Sequence, residues 1–104
     1  MRVIIHNRVY LAVEEFYRYA IFRHPALDMQ TVLNKEARMY QALQSLSRTY
    51  FLYDAPRYNK EWQQKGYLDF ICEDFHFAYR IVRLSSGEEV VSVEDAVHSL
   101  LFHD

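Results

Sequence analysis

His76, Arg80, Glu94 and His98 are residue types that can cleave a phosphodiester by acid–base chemistry. Such cleavage needs a base for the 2′-hydroxyl proton, an acid for the departing oxygen and a cation over the phosphate. Glu94 or His98 fits the base, His76 or His98 the acid, and Arg80 the phosphate clamp. The same residues admit a plainer reading, in which Arg80 and Glu94 form a solvated ion pair contributing about 0–1 kcal/mol and the histidines are surface polar groups. Arg57, Lys60 and Lys65 are interleaved with Tyr53, Tyr58, Trp62 and Tyr67. They are the candidates for binding a nucleic-acid substrate, because ring faces stack on bases and cations follow phosphates; the alternative is a loop pinned by its own rings. His98 and His103, with Asp95 and Asp104 nearby, lack a spacing such as H-E-x-x-H, so no metal ligand is assigned. Two isolated glycines cannot build a phosphate cradle, and no cofactor is expected. Cys72, alone on the apolar side of a strand pattern, reads as inert core.

These residues need elements to position them. Ser85-Ser86-Gly87, flanked by Arg83-Leu84 and Glu88-Glu89-Val90-Val91, has the form of a three-residue hairpin loop with Gly87 in the left-handed conformation. That turn sets a register in which Leu84 faces Glu88, Arg80 faces Ser92, Ala78 faces Glu94 and His76 faces Ala96. An unbroken alternation then sends His76, Arg80, Ser92, Glu94 and His98 to one face. Phe77, Tyr79, Ile81, Val91, Val93 and Val97 go to the other.

Upstream, Val3-Ile4-Ile5 is a short strand followed by Asn7, a good helix N-cap. Val9, Val13, Phe16, Tyr17 and Ala20 recur at helical spacing from Arg8 to about His24, where Pro25 ends the helix. Asp28 caps a second helix running to about Tyr50, with Val32, Leu33, Met39, Tyr40, Leu43 and Leu46 inward. Phe51 to Tyr67 is a connector with one helical turn around Asn59 to Gln64. Leu68, Phe70 and Cys72 then alternate with Asp69 and Glu73 as a half-buried strand.

The order is β-α-α-β-β-β. It predicts an α+β fold, with the helical hairpin packed on one face of a mostly antiparallel four-stranded sheet and the other face open. At 104 residues, 1–104 is read as a single domain. A formal net charge of −2 argues against broad, non-specific nucleic-acid binding but leaves room for a local basic site. With no apolar run near the length of a membrane span and no signal-like start, the expected setting is cytoplasmic, with no membrane partner. Nine tyrosines and seven phenylalanines exceed what so small a core absorbs, and some should meet a partner protein.

The element order, the strand Phe77-Ala78-Tyr79-Arg80-Ile81-Val82 and the run Glu89-Val90-Val91-Ser92-Val93 ending at Val97-His98 together resemble the RelE/ParE superfamily of bacterial toxin–antitoxin toxins. Tyr79, the valine run and His98 carry the resemblance. It implies the toxin component of a type II module, with a cognate antitoxin protein as partner. For one branch it implies metal-independent, ribosome-dependent endoribonuclease action on mRNA, for which His98, Arg80, Glu94 and His76 are the candidate set. For another it implies non-enzymatic inhibition of DNA gyrase, and a non-toxic interaction module of the same fold is a third form. Leu68 to Asp74 contributes Asp69, Glu73 and Asp74 and no basic residue, a pattern unlike the mRNA-cleaving branch.

Overall fold

Leu84 N–H donates to the Glu88 carbonyl at 2.8 Å and Gly87 N–H to the Leu84 carbonyl at 2.9 Å, closing the expected turn with Gly87 at φ 92°. A side chain would be strained there. From this turn strands β3 (Phe75–Arg83) and β4 (Glu89–His98) run antiparallel, with Arg83 opposite Glu89 and Arg80 opposite Ser92. Strand β2 (Leu68–Cys72) pairs antiparallel with β3 through Glu73 and Asp74, whose φ values of 50° and 70° suit a two-residue hairpin. Strand β1 (Arg2–Ile5) lies parallel to β4, with Arg2 opposite Val90 and Ile5 opposite Val93. The sheet order is β1-β4-β3-β2 and the fold is α+β. The computed structural model describes residues 1–102, so His103 and Asp104, weighed above as metal ligands, lie outside the described residues.

Helix α1 (Asn7–Arg23) buries Val9, Val13 and Tyr17, and helix α2 (Met29–Gln44) buries Val32, Met39 and Leu43. Both stripes join one core with Phe70, Phe75, Phe77, Tyr79, Val91 and Val93 of the sheet, so the helical hairpin covers a single sheet face. Asp28 caps α2, its carboxylate accepting the Gln30 N–H at 3.2 Å. At the start of α1 the capping position belongs to His6 and Asn7 is the first helical residue, which corrects the expected cap. The second helix also stops short of Tyr50. It breaks at Ser45, whose hydroxyl donates to the Ala42 carbonyl, a local bond that competes with the helical ladder. The chain resumes as α3 (Leu46–Thr49) and a 3-10 turn at Tyr50–Leu52. Leu33, expected inside, is 51% exposed. In the connector, α4 (Lys60–Gln64) is capped by Asn59, whose side-chain oxygen accepts the Trp62 N–H at 3.1 Å. Among the described residues no helix is long and apolar enough to cross a membrane.

The strand register holds only part of the way along β4. Tyr79 lies opposite Val93, but Ala78 lies opposite Asp95, so Glu94 is an extra residue on the β4 side, a β-bulge. Beyond it the faces exchange. Ala96 enters the helix-side core, whereas Val97, expected there, packs on the opposite face against Trp62, Tyr67 and Ala78. The bulge also places two successive carboxylates, Glu94 and Asp95, on the face opposite the helical hairpin.

Candidate functional site

The face opposite the helical hairpin is built from alternate residues of four strands: Ile4 on β1, Ser92 and Glu94 on β4, Arg80 and Ala78 on β3, and Asp69 on β2. His6 and Tyr67 flank it just beyond the ends of β1 and β2. Part of it is not open. Trp62 of α4, 1% exposed, is buried with Tyr67 and Ala78, with Val97 and Phe102 packed against them.

Beside this cover lies a hydrogen-bonded polar cluster centred on Glu94. Its carboxylate accepts from Arg80 Nε at 2.8 Å, from the Ser92 hydroxyl at 2.8 Å and from the Tyr67 hydroxyl at 3.1 Å. Ser92 Oγ is in turn 2.9 Å from His6 Nε2. Burial alone would raise the Glu94 pKa, but the hydrogen bonds from Arg80, Ser92 and Tyr67 outweigh it and hold the carboxyl below its ordinary range. Burial and the bond to Glu94 push the Tyr67 phenol up. Glu94 is therefore a fixed anion and a poor proton acceptor. Arg80 is 51% exposed, so its pair with Glu94 is screened and contributes only about 0–1 kcal/mol. The ion pair matters more for aim than for stability, since it holds a half-exposed guanidinium over the sheet.

The neighbouring bulge carboxylate, Asp95, does different work. It accepts from Trp62 Nε1 at 3.3 Å and from Arg8 Nε at 3.3 Å, tying α4 and α1 to the sheet. No protein-family model and no curated protein sequence matches the chain.

Of the four residues expected to share a face, the structure brings Arg80 and Glu94 into contact. His76 lies on their face but apart from them: four residues of strand put it roughly 13 Å from Arg80. Its Nδ1 bonds Asp69 at 2.8 Å and its ring stacks on Phe102 at 3.7 Å, which leaves 14% of the side chain exposed. Burial raises the Asp69 carboxyl pKa, and His76 partly offsets this. His98 is on the wrong side for the expected set. The bulge turns it toward the helices, where its ring stacks on Phe16 at 3.9 Å and meets Phe75 edge-on, while its Nδ1 accepts the Leu100 N–H at 3.1 Å. Tyr79 is likewise helix-side and fully buried, its hydroxyl donating to the Tyr50 carbonyl at 2.6 Å.

Arg57, on the segment leading into α4, and Lys60, its first residue, are exposed, and the Pro56 and Arg57 carbonyls both accept from Gln63 Nε2. Lys65 is paired with Glu61 at 2.8 Å. These three residues belong to the segment that Trp62 anchors.

His6 was not among the expected site residues, and Tyr67 was expected only as a base-stacking ring and not as a partner of Glu94. Tyr67 precedes β2 at a position continuing the Asp69, Ile71 alternation, a signal open to sequence reading. For His6 the alternation Ile4, His6 is visible, but its neighbour on β4 is set by a pairing between residues 86 apart.

The new place of His98 carries a pH prediction. Burial lowers its pKa, with Asp74 partly opposing. A base with a depressed folded pKa binds its proton at higher pH when unfolded. Between the two values the unfolded chain therefore takes up more protons, and stability falls on acidification. The full contribution is present above the ordinary histidine value and is lost as pH drops through the folded one. Urea midpoints taken at about pH 7.5 and about pH 5, either side of that ordinary value, should fall on acidification, and His98→Phe should fall less. An identical fall in both proteins would show that His98 is not buried as described.

Proposed function

We propose that this chain is the toxin of a bacterial type II toxin–antitoxin module, acting in the cytoplasm as a metal-independent, ribosome-dependent mRNA endonuclease. The observation that carries the reading is the Arg80 guanidinium, half-exposed and aimed by Glu94 on the sheet face that the helical hairpin leaves uncovered. A cation held by a preorganised carboxylate is what a phosphodiester in transition needs, because it requires little reorganisation as charge develops. The β-α-α-β-β-β order of the sheet and hairpin agrees with the superfamily that the sequence resembles.

Between α1 and the end of β4 runs an apolar groove of about 780 Å³, lined by Phe16, Tyr19, Ala20, Phe75, Ala96 and Leu100 among others. Leu100 and Leu101, 80% and 62% exposed, carry the apolar lining out to the surface. This is the surface we assign to the antitoxin, whose binding would cover rings that the core does not absorb.

A second reading, inhibition of DNA gyrase by binding, is favoured by one feature: Arg80 and Lys65 are both engaged by carboxylates in a chain of net charge −2. Pulse-labelling after induction separates the readings. Protein synthesis should stop first, and co-expression of the product of a small adjacent reading frame should restore growth. DNA synthesis stopping first would replace the nuclease by the gyrase mechanism. Growth unaffected by induction would leave a non-toxic interaction module.

A further inference from the structure

We infer that His6 is the proton-transfer residue of this open face, held in the required tautomer by Ser92 and Glu94. The inference rests on the nuclease reading and assigns the base to a residue at the start of the chain.

Glu94 is an ionised carboxylate and can only accept, and it lies 2.8 Å from Ser92 Oγ. The single hydroxyl proton of Ser92 is therefore directed at Glu94. Ser92 Oγ then has only acceptor capacity left for His6 Nε2 at 2.9 Å, so Nε2 carries a hydrogen. In the neutral ring the lone pair is consequently on Nδ1, the nitrogen not engaged by Ser92. The order carboxylate, hydroxyl, imidazole makes Ser92 a bridge and not a nucleophile. Ser92 and Glu94 are positioning residues.

The backbone that carries the ring is fixed as well. His6 donates its backbone N–H to the Val93 carbonyl at 3.0 Å and accepts the Val9 N–H on its own carbonyl at 3.0 Å, so it sits at the junction of β1 and α1. It is exposed, and a substrate can reach it. The charged and titratable groups around the relay are Glu94 and Asp95 from β4, Arg80 from β3, Arg8 from α1 and Tyr67 from the approach to β2.

In the step assigned here, the 2′-oxygen of the RNA forms a bond to phosphorus and the bond from phosphorus to the 5′-oxygen breaks. The 2′-hydroxyl proton moves to His6 Nδ1, and the departing 5′-oxygen takes a proton from water. The imidazolium returns its proton to the hydroxide so formed, leaving a 2′,3′-cyclic phosphate, a 5′-hydroxyl and unchanged enzyme. Arg80 faces the phosphoryl oxygens.

The test is single-turnover cleavage of mRNA on programmed ribosomes by the wild type, His6→Gln, Ser92→Ala and Arg80→Ala. His6→Gln keeps an N–H donor for Ser92 but has no titrating nitrogen. It should slow cleavage by about 10²–10⁴-fold and abolish the acidic limb of the pH–rate profile. Ser92→Ala should lose part of that rate and shift the limb. Nitrogen-15 spectra of the histidines should show the Nε2–H tautomer for His6 in the wild type and a mixture in Ser92→Ala. Full-rate cleavage by His6→Gln alongside a slow Arg80→Ala overturns the His6 assignment and leaves the nuclease reading standing. A wild-type protein that shows the expected tautomer but cuts no mRNA overturns the nuclease reading, and this inference with it. A predominant Nδ1–H tautomer overturns the relay whatever the cleavage result.

Discussion

Arg80→Ala is expected to restore growth to cells expressing the protein while leaving the chain folded. The guanidinium is the positive charge that Glu94 holds at 2.8 Å on the exposed side of the cluster. Removing a preorganised group aimed at developing charge typically costs about 10²–10³-fold in rate. The stability effect should be small, because substituting a half-exposed side chain shifts stability by about 0.5 kcal/mol. Glu94 keeps Ser92 and Tyr67 as donors, so no buried carboxylate is left unpartnered. Growth curves after induction and the urea midpoint of the purified variant read the two effects separately. Full toxicity in Arg80→Ala with translation running normally would end the nuclease reading in favour of a binding mechanism. The contrast with His98 is a useful control. His98 lies in the opposite layer against Phe16 and Phe75, so its substitution is expected to act on stability and on the groove beside it.

Trp62→Ala should destabilise the protein by about 3–5 kcal/mol, the usual cost of emptying a large aromatic site. A domain of this size has only about 5–15 kcal/mol in total, so the substitution should remove a large share of the stability. Trp62 is the centre of the second core. Its ring meets Tyr67 edge-on at 6.1 Å and Phe102 at 5.1 Å, Ala78 is buried with it, and its Nε1–H reaches Asp95. α4 is only five residues long, too short to be stable alone, and its attachment to the sheet depends on this side chain. Trp62→Phe keeps most of the apolar contact and forfeits the hydrogen bond to Asp95, a loss of about 1 kcal/mol. Urea titrations order the three proteins. Equal midpoints for Trp62→Ala and the wild type would mean that α4 does not pack on the sheet.

Much of the architecture was legible because it depends on neighbours in sequence. The Ser85–Gly87 turn defined the β3–β4 register as far as Arg80 opposite Ser92, since a hairpin register follows from its turn. The helical spacing of Val9, Val13 and Tyr17, the break at Pro25, the Asp28 cap and the alternation of Leu68, Phe70 and Cys72 are equally local, and each stands where it was expected. The Arg80–Glu94 pair follows from the same hairpin, being within its intact part or one residue past it.

Tertiary structure alone decided the rest of the site. Alternation assumes an uninterrupted pleat, and one extra residue at Glu94 reverses every face beyond it, sending His98 to the helices and Val97 to the polar side. Two acidic residues in succession do not announce a bulge; it becomes visible once Asp95 is seen bound to Trp62 and Arg8, groups far away in sequence. His76 stands apart from the cluster by four residues of strand, a spacing already legible in the sequence; what the tertiary structure adds is the Phe102 ring stacked on it. His6 was added to the cluster by the parallel pairing of β1 with β4. A parallel strand with a two-helix excursion between partners carries no turn that sets its register, so its neighbours are chosen by how the whole core packs and not by any pattern within the strand.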